Sequence, residues 1–203
     1  MQTIDLGAFG NSPNLHTLSF KNNSLINLPC DIGTWGHQSL TELNLCGNSL
    51  ENLPDGIGLL EQLQVLNLSQ NKLKRLPKSI GQLKNLRELD LEENELEKLT
   101  GEIGNCAALQ KLLLSYNSLQ TIPYTIGRLK NLTHLYLCDN KITALPKEIG
   151  GLISMSELYL SNNLSLNSLP LELAKAPELL LLALDKCPLS TFPQEYVAKG
   201  PSY

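Results

Sequence analysis

The stretch 63-LQVLNLSQNKLKRLPKSIG-81 contains every feature that decides the fold of this chain. Its pattern, L-x-x-L-x-L-x-x-N-x-L-x-x-L-P-x-x-I-G, returns along nearly all of the 203 residues. The units open at Leu15, Leu40, Leu63, Leu86, Leu109, Leu132, Met155 and Leu179. Successive units therefore begin 25, 23, 23, 23, 23, 23 and 24 residues apart. Such self-similarity indicates an elongated body in which each unit packs mainly against its neighbours.

A period of this length with these leucine positions resembles that of leucine-rich repeats. The resemblance predicts an α/β fold, a curved solenoid with a parallel β-sheet on its concave face and short helices or turns on its convex face. We expect one domain over residues 1–203, with a partial N-terminal unit at residues 1–14 followed by the eight units.

The L-x-L centre of each unit predicts a short strand, because alternate residues of a strand point to opposite faces. The two leucines of each centre are expected in the core, and the residue between them on the concave face. The inward pairs are Leu18/Phe20, Leu43/Leu45, Leu66/Leu68, Leu89/Leu91, Leu112/Leu114, Leu135/Leu137, Leu158/Leu160 and Leu182/Leu184. The outward column is Ser19, Asn44, Asn67, Asp90, Leu113, Tyr136, Tyr159 and Ala183.

An asparagine recurs three residues after the strand and predicts a buried structural ladder. Its amide can bind the backbone of its own loop and, we expect, of the next repeat. Replacing one with Ala or Leu should leave backbone groups unpaired, at about 1–3 kcal/mol each. Cys187 takes this position in the last unit. The ladder residues are Asn23, Asn48, Asn71, Asn94, Asn117, Asn140 and Asn163.

The second half of each unit predicts a leucine that closes the core, a proline that restricts the backbone, and a glycine whose conformational freedom ends a short helical segment. These glycines are Gly33, Gly58, Gly81, Gly104, Gly127 and Gly150. Repeat four instead has Thr100 and Gly101 at the proline position and the residue after it. This departure is either a plain substitution or the sign of a looser convex loop.

Composition argues against several classes of function. The net charge of −4 and a pI near 5.4 leave no basic stripe for nucleic acid. No apolar stretch reaches the roughly 18 residues that a membrane span requires. The five cysteines are scattered, which suits free thiols, and no secretory signal opens the chain. We therefore expect a cytoplasmic protein, with the nucleus as a further location left open.

The sequence also lacks the motifs of a catalytic or metal site. The glycines follow the repeat and do not form a phosphate loop, the three histidines lie far apart, and no G-x-S-x-G motif occurs. We expect no enzyme activity, no cofactor and no metal.

The outward residues of repeats four to seven predict a partner-binding surface. An acidic patch of Glu88, Asp90, Glu92 and Glu93 would suit a basic partner surface. An apolar and aromatic patch of Leu113, Tyr116, Tyr136 and Tyr159 would supply binding energy. The alternative is that the charges are merely solvated and that the tyrosines pack as a cross-strand ladder. The full set of candidates is Arg87, Glu88, Asp90, Glu92, Glu93, Lys111, Leu113, Tyr116, His134, Tyr136, Asp139 and Tyr159.

Four segments extend the likeness beyond a generic repeat: 83-LKNLRELDLEENELEKL-99, 131-NLTHLYL-137, 157-ELYLSNNLSLNSLPLELA-174 and 187-CPLSTFPQEYVAKGPSY-203. Together they resemble the C-terminal half of the Shoc/Sur-type leucine-rich-repeat scaffold of the Ras–MAP-kinase pathway. The resemblance implies a non-enzymatic scaffold that brings a Ras-type GTPase such as M-Ras together with the catalytic subunit of protein phosphatase 1, which then acts on Raf kinase. It covers roughly residues 60–203.

The family departs from this chain in having a charged N-terminal segment with a phosphatase-docking motif and more repeats. A fragment, an isoform or a diverged relative are therefore all open. So are two other functions: ligand recognition by an immune or other receptor, and the repeat segment of a larger multidomain GTPase or kinase.

Overall fold

The computed structural model describes residues 14–34 and 39–190. There the chain alternates strands of three residues with 3₁₀ helices of five. The strands β1–β8 are Thr17–Ser19, Glu42–Asn44, Val65–Asn67, Glu88–Asp90, Lys111–Leu113, His134–Tyr136, Glu157–Tyr159 and Leu181–Ala183. The 3₁₀ helices η1–η7 are Cys30–Thr34, Asp55–Leu59, Lys78–Gln82, Gly101–Asn105, Tyr124–Arg128, Lys147–Gly151 and Leu171–Lys175.

The eight described strands form one parallel sheet in chain order, β1 to β8. Each strand pairs with the equivalent residues one unit later, so that Leu66, for example, pairs with Leu43 on one side and Leu89 on the other. The predicted curved solenoid, with the parallel sheet on the concave face and helical turns on the convex face, is confirmed. Most of the expected partial unit at 1–14 lies outside the described residues, so the single-domain expectation stays a prediction.

The core is a continuous stack of leucine and isoleucine layers. Leu66 and Leu68 of repeat three are completely buried, as are the corresponding pairs of repeats four to seven. In the first and last described units Phe20, Leu182 and Leu184 are only partly buried. Truncating a fully buried leucine to alanine typically costs about 2–5 kcal/mol, so each layer contributes a large share of the stability.

The ladder asparagines join each unit to the one before it, not to the next unit as the sequence suggested. The Asn71 Oδ1 accepts the Leu50 backbone N–H at 3.0 Å, and its Nδ2 donates to the Leu45 carbonyl at 3.0 Å. The same amide donates to the Leu68 carbonyl of its own unit at 3.0 Å. The direction follows from geometry, because the asparagine side chain turns back under the preceding loop. The same cross-repeat bonds recur at Asn48, Asn94, Asn117, Asn140 and Asn163.

The two ends of the ladder differ from its middle. Asn23 is exposed, and within the described ranges its amide donates to the Phe20 and Lys21 carbonyls of its own loop. Burial of this position comes from the preceding loop, and the residues before Asn14 lie outside the described ranges. At the other end, the Cys187 thiol donates to the Leu160 carbonyl at 3.2 Å. Cysteine thus provides one of the asparagine's bonds.

The repeated glycines are required by close packing and not by backbone conformation, which corrects the prediction. None of the six has a left-handed φ. A Cβ on Gly104 would stand 2.4 Å from the Thr125 carbonyl oxygen of the next helix, and a Cβ on Gly150 would meet the Glu172 carbonyl oxygen. Only hydrogen fits between successive 3₁₀ helices. Gly101, by contrast, has room for a side chain, because an added Cβ would make an ordinary van der Waals contact with Thr125 Oγ1 at 3.7 Å.

Repeat four keeps the common geometry despite its missing proline. Thr100 has φ −63° and ψ 141°, close to the −66° and 143° of Pro123 at the equivalent position. The helix that follows it, η4, has the same length as the others. The structure therefore favours a plain substitution over a looser loop.

Candidate functional site

One column of outward-facing side chains crosses the described sheet on its concave face. The strand register places the middle residues of the L-x-L triplets side by side, in the order Ser19, Asn44, Asn67, Asp90, Leu113, Tyr136, Tyr159 and Ala183. Adjacent strands are about 4.8 Å apart. Leu113, Tyr136 and Tyr159 therefore form an apolar and aromatic strip beside the polar Asn67 and Asp90.

The polar members of this column help to form the turn that follows each strand. Asn67 Oδ1 accepts the Ser69 backbone N–H at 3.0 Å, and Asp90 Oδ1 accepts the Glu92 backbone N–H at 3.1 Å. Asn44 closes the same turn in repeat two. Side chains of Asn and Asp favour turns by this mechanism. These three residues thus have a structural role as well as an exposed edge.

Leu113, Tyr136 and Tyr159 occupy the same position without any such role. A leucine has no acceptor, and a tyrosine hydroxyl lies too far from its own backbone to close the turn. Their strands nevertheless keep the common length and register. All three side chains remain partly exposed. The fold therefore does not require apolar or aromatic residues here, and the strip is available for contact with another molecule.

The two strip tyrosines are held by each other and by a carboxylate. Their ring centroids lie 4.6 Å apart in a T-shaped arrangement. The Tyr136 hydroxyl donates to Glu157 Oε2 at 2.7 Å, and this bond is the main reason that the pKa of Tyr136 rises to about 12. His134 Nε2 lies 3.7 Å from Glu157 Oε1. The alternative interpretation, in which the tyrosines pack against each other across strands, is thus correct for Tyr136 and Tyr159. This packing also orders both rings before a partner binds.

The acidic patch starts at β4. The Asp90 Oδ2 accepts the Asn67 amide at 3.0 Å. Burial raises the pKa of Asp90, although the Glu92 backbone N–H partly offsets that effect. Glu88 forms an ion pair with Lys111 at 3.4 Å, with about half of the lysine side chain exposed (48%). Such exposed pairs contribute little stability, so a partner could replace either member.

Glu92 and Glu93 extend the patch beyond the strand. Burial raises the pKa of Glu92. A hydrogen bond from Ser115 lowers this pKa in part, whereas the negative charge of nearby Asp90 raises it further. Glu93 Oε1 accepts the Gln70 side-chain amide at 3.1 Å. The carboxylates of this patch are therefore positioned by neighbours from the adjacent repeats.

A second row of side chains lies at the turn, just before each ladder position, and its members all have a left-handed backbone. The φ values are 53° at Glu93, 57° at Tyr116 and 53° at Asp139. Non-glycine residues adopt this conformation uncommonly. The row consists of Asn22, Gly47, Gln70, Glu93, Tyr116, Asp139, Asn162 and Lys186.

The remaining predicted residues are less closely grouped. Tyr116 is 57% exposed and lies in the turn row, and the ring contacts in the described part of the chain join Tyr136 to Tyr159 and to His134 instead. The continuous strip is therefore narrower than the predicted patch. Arg87 is exposed and precedes β4.

Sequence reasoning missed the residues that organise these side chains. Glu157 binds Tyr136, while Asn67 and Gln70 orient two carboxylates. Glu157 could have been found, because it occupies the same strand position as the predicted Glu88, Lys111 and His134. The turn row could also have been found, since each member directly precedes the ladder residue.

The described residues contain no cluster of three or more His, Cys, Asp or Glu side chains able to hold a metal ion. Burial raises the pKa of Cys106 to about 11, which makes its thiol a poor nucleophile. Within residues 14–34 and 39–190, no helix has the length and apolar character needed to cross a membrane.

Two family models match the chain. The model described as "Leucine rich repeat" matches residues 38–96, and the model described as "Leucine-rich repeat region" matches residues 80–192. A search of curated proteins gave no significant match.

Solved structures of several kinds resemble the chain. A leucine-rich-repeat protein from Leptospira interrogans is 33% identical, with a TM-score of 0.65 over 97% of this chain and 62% of its own. The plant peptide hormone receptor RGFR1, solved in complex with RGF2, is 36% identical, with a TM-score of 0.80 over 92% of this chain and 31% of its own. The ectodomain of the Arabidopsis thaliana receptor kinase GASSHO1/SCHENGEN3, in complex with CASPARIAN STRIP INTEGRITY FACTOR 2, is 27% identical, with a TM-score of 0.83 over 99% and 25%. The chain thus spans less than two thirds of each of these solved chains.

Proposed function

The chain belongs to the leucine-rich-repeat family, and on that premise we propose that it is a scaffold that binds partner proteins on its concave face. Domains of this family are generally non-enzymatic modules that bind other proteins. The observation that carries the proposal is the strip of Leu113, Tyr136 and Tyr159, because these side chains stand in register on three strands whose turns do not need them.

The strip and the acidic patch together suggest how a partner is recognised. Tyrosines bring a large contact area at low entropic cost, and the T-shaped pair is already ordered before binding. The carboxylates of Glu88, Asp90 and Glu92 lie at β4, one to three strands from the strip residues, and favour a basic patch on the partner. In this arrangement the aromatic strip provides affinity, while the acidic patch provides orientation and association rate.

At a finer level, we propose a scaffold of the Ras–MAP-kinase kind that acts in the cytoplasm, with the nucleus as a further location left open. The support is the sequence resemblance of residues 60–203 to the Shoc/Sur-type scaffold. The partners would be a GTP-loaded Ras-type GTPase such as M-Ras, the catalytic subunit of protein phosphatase 1, and Raf kinase as the substrate of that phosphatase. The scaffold itself would hold the proteins and perform no reaction.

A second candidate is recognition of a secreted peptide. The supporting observation is that RGFR1, 36% identical to this chain, was solved in complex with RGF2. In that case the same strip would contact an extended peptide, and binding would not depend on a nucleotide.

The test is capture of purified partners by the immobilised full chain. Ras-type GTPases are supplied loaded with GTP or GDP, with and without the phosphatase subunit. The double variant Tyr136→Ala/Tyr159→Ala should weaken capture about tenfold or more. The matched control is Tyr124→Ala, which removes a 63% exposed tyrosine from the convex helix η5.

The outcomes separate the proposals. Capture that requires GTP and is lost only in the strip variant supports the Ras-pathway scaffold. Nucleotide-independent binding of short peptides to the strip supports the peptide-recognition candidate. If the strip and control variants bind partners equally well, the concave-face proposal is wrong. The strip variant should lose about 1 kcal/mol of unfolding free energy, since the ring pair also stabilises the sheet.

A further inference from the structure

A second surface lies on the flank where each unit leaves the sheet and runs toward its 3₁₀ helix. In repeat three this segment is 71-NKLKRLPK-78, which contains four basic residues and no acidic one. The chain as a whole has a net charge of −4. The flank of repeat three therefore has the opposite charge to the acidic patch at β4 on the concave face.

Three hollows follow one another along this flank. The first is lined by the cations Lys74 and Lys98 and by the carboxylates Glu51 and Glu97, and it shares Asn52 and Arg75 with the second. The second shares Asp55 and Lys78 with the third. Because neighbouring hollows share lining residues, they form one continuous groove, which we call the flank groove. Arg75 and Lys78 stand at its two junctions.

The middle of the flank groove has an apolar floor. Leu53, Leu76, Pro54 and Pro77 line the second hollow. Leu53 and Leu76 are buried, 7% and 5% exposed, as are the leucines at the equivalent position of the other units. Pro54 and Pro77 are half-buried, so the floor offers a narrow apolar strip to an aliphatic side chain of a partner.

Two cations of the flank groove, Arg75 and Lys98, have no carboxylate within ion-pair distance among the described residues, although Glu51 and Glu97 also line the groove. Arg75 and Lys98 occupy equivalent positions in adjacent units, both are exposed, and neither forms an ion pair in the described part of the chain. Lys74, by contrast, has Glu95 at 4.0 Å. A guanidinium offers a fork of donors that matches a carboxylate. Two unpaired cations next to an apolar floor are therefore suited to an acidic segment with an aliphatic residue.

We propose that the flank groove binds an acidic, partly aliphatic segment of a partner protein. Arg75 and Lys98 hold two of its acidic groups, and the floor at Leu53 and Leu76 receives an aliphatic side chain. This site is separate from the concave strip and does not depend on the function proposed for it.

The test uses the full chain and fluorescent peptides of alternating glutamate and leucine, read by fluorescence anisotropy. Matched peptides contain glutamine, lysine or phosphoserine at the glutamate positions. The variant Arg75→Gln/Lys98→Gln removes the two cations, and Lys141→Gln/Lys147→Gln removes two exposed lysines of repeat six as an equal-charge control. Circular dichroism establishes that each variant is folded.

The glutamate peptide should bind the wild type, and its affinity should fall about tenfold or more in the Arg75→Gln/Lys98→Gln variant. Hydrogen bonds between a cation and a carboxylate are stronger than those between neutral groups. The control pair and the strip variant should bind it as the wild type does. Tighter binding of the phosphoserine peptide would identify phosphorylated segments as the preferred acidic partners. The reversed variant Arg75→Glu/Lys98→Glu should instead bind the lysine peptide.

Three results would overturn the proposal. One is equal binding of the glutamate and glutamine peptides. Another is an equal loss in the control pair, which would indicate general charge attraction. The third is binding of vesicles of anionic lipid or of RNA in place of the acidic peptides. None of these results bears on the concave strip, so the two proposals fail separately.

Discussion

Replacing Asn117 with alanine tests the link between the asparagine ladder and the stability of the solenoid. Asn117 Oδ1 accepts the Leu96 N–H at 2.9 Å, and its Nδ2 donates to the Leu91 carbonyl at 2.9 Å and the Leu114 carbonyl at 3.1 Å. These three bonds are buried. A fourth acceptor, the Ser115 carbonyl, also receives the Glu93 backbone N–H. The Leu91 carbonyl also accepts the Asn94 amide at 3.2 Å, and the Leu114 carbonyl also accepts the Asn140 amide at 3.0 Å. The variant therefore leaves one buried group, the Leu96 N–H, without a partner among the described residues.

The expected loss can be worked from these groups. The unsatisfied Leu96 N–H costs about 1–3 kcal/mol, and this is the expected loss, because both carbonyls keep a second donor. Asn23→Ala is the matched control, because Asn23 is exposed and, among the described residues, its amide bonds to carbonyls of its own loop. That control should cost about 1 kcal/mol or less. Asn117→Cys should fall between the two, since Cys187 retains one such bond in the last unit.

Two measurements check this. Urea denaturation followed by circular dichroism gives the change in unfolding free energy, with the midpoint compared between variants at equal slope. Hydrogen exchange of the Leu96 amide gives the local effect, because its only hydrogen-bond partner in the described structure is Asn117. The reasoning is refuted if Asn117→Ala costs no more than Asn23→Ala, or if the Leu96 amide stays protected in the variant.

Two further predictions concern the helix layer and the acidic patch. Gly104→Ala should lose about 1–3 kcal/mol of unfolding free energy, because its Cβ would meet a carbonyl oxygen at 2.4 Å. The control Gly101→Ala, in the same helix, should be neutral or gain about 0.5 kcal/mol. Equal effects of the two variants in thermal melts would contradict the packing argument. Burial raises the pKa of Glu92 above its ordinary value of 4.5, so the folded state holds the proton more tightly than the unfolded state does. The stability contributed by protonated Glu92 is lost as the pH rises through the raised pKa. Glu92→Gln should therefore be more stable than the wild type at neutral pH, with the difference vanishing below pH 4.5; a difference independent of pH in denaturation series would be evidence against a buried carboxylate.

The candidate surface was only partly predictable. The outward column from Ser19 to Ala183 follows from strand alternation alone, and the register places it as expected. The bonds around Tyr136 could not be read from the sequence, because Glu157 lies 21 residues away and is brought close only by strand pairing. Residue type alone groups Tyr116 with the strip, yet its left-handed backbone places it in the turn row.

The amino-acid sequence by itself determined the solenoid, because a period of about 23 residues fixes which leucines face inward and forces equivalent residues into register. It also determined which positions carry the ladder amides. Only the tertiary structure decided that each amide turns back to the preceding unit, and that Gly104 is needed for contact with the next helix. Both depend on distances between units, and such distances arise from the stacking of whole repeats and not from any local preference of the chain.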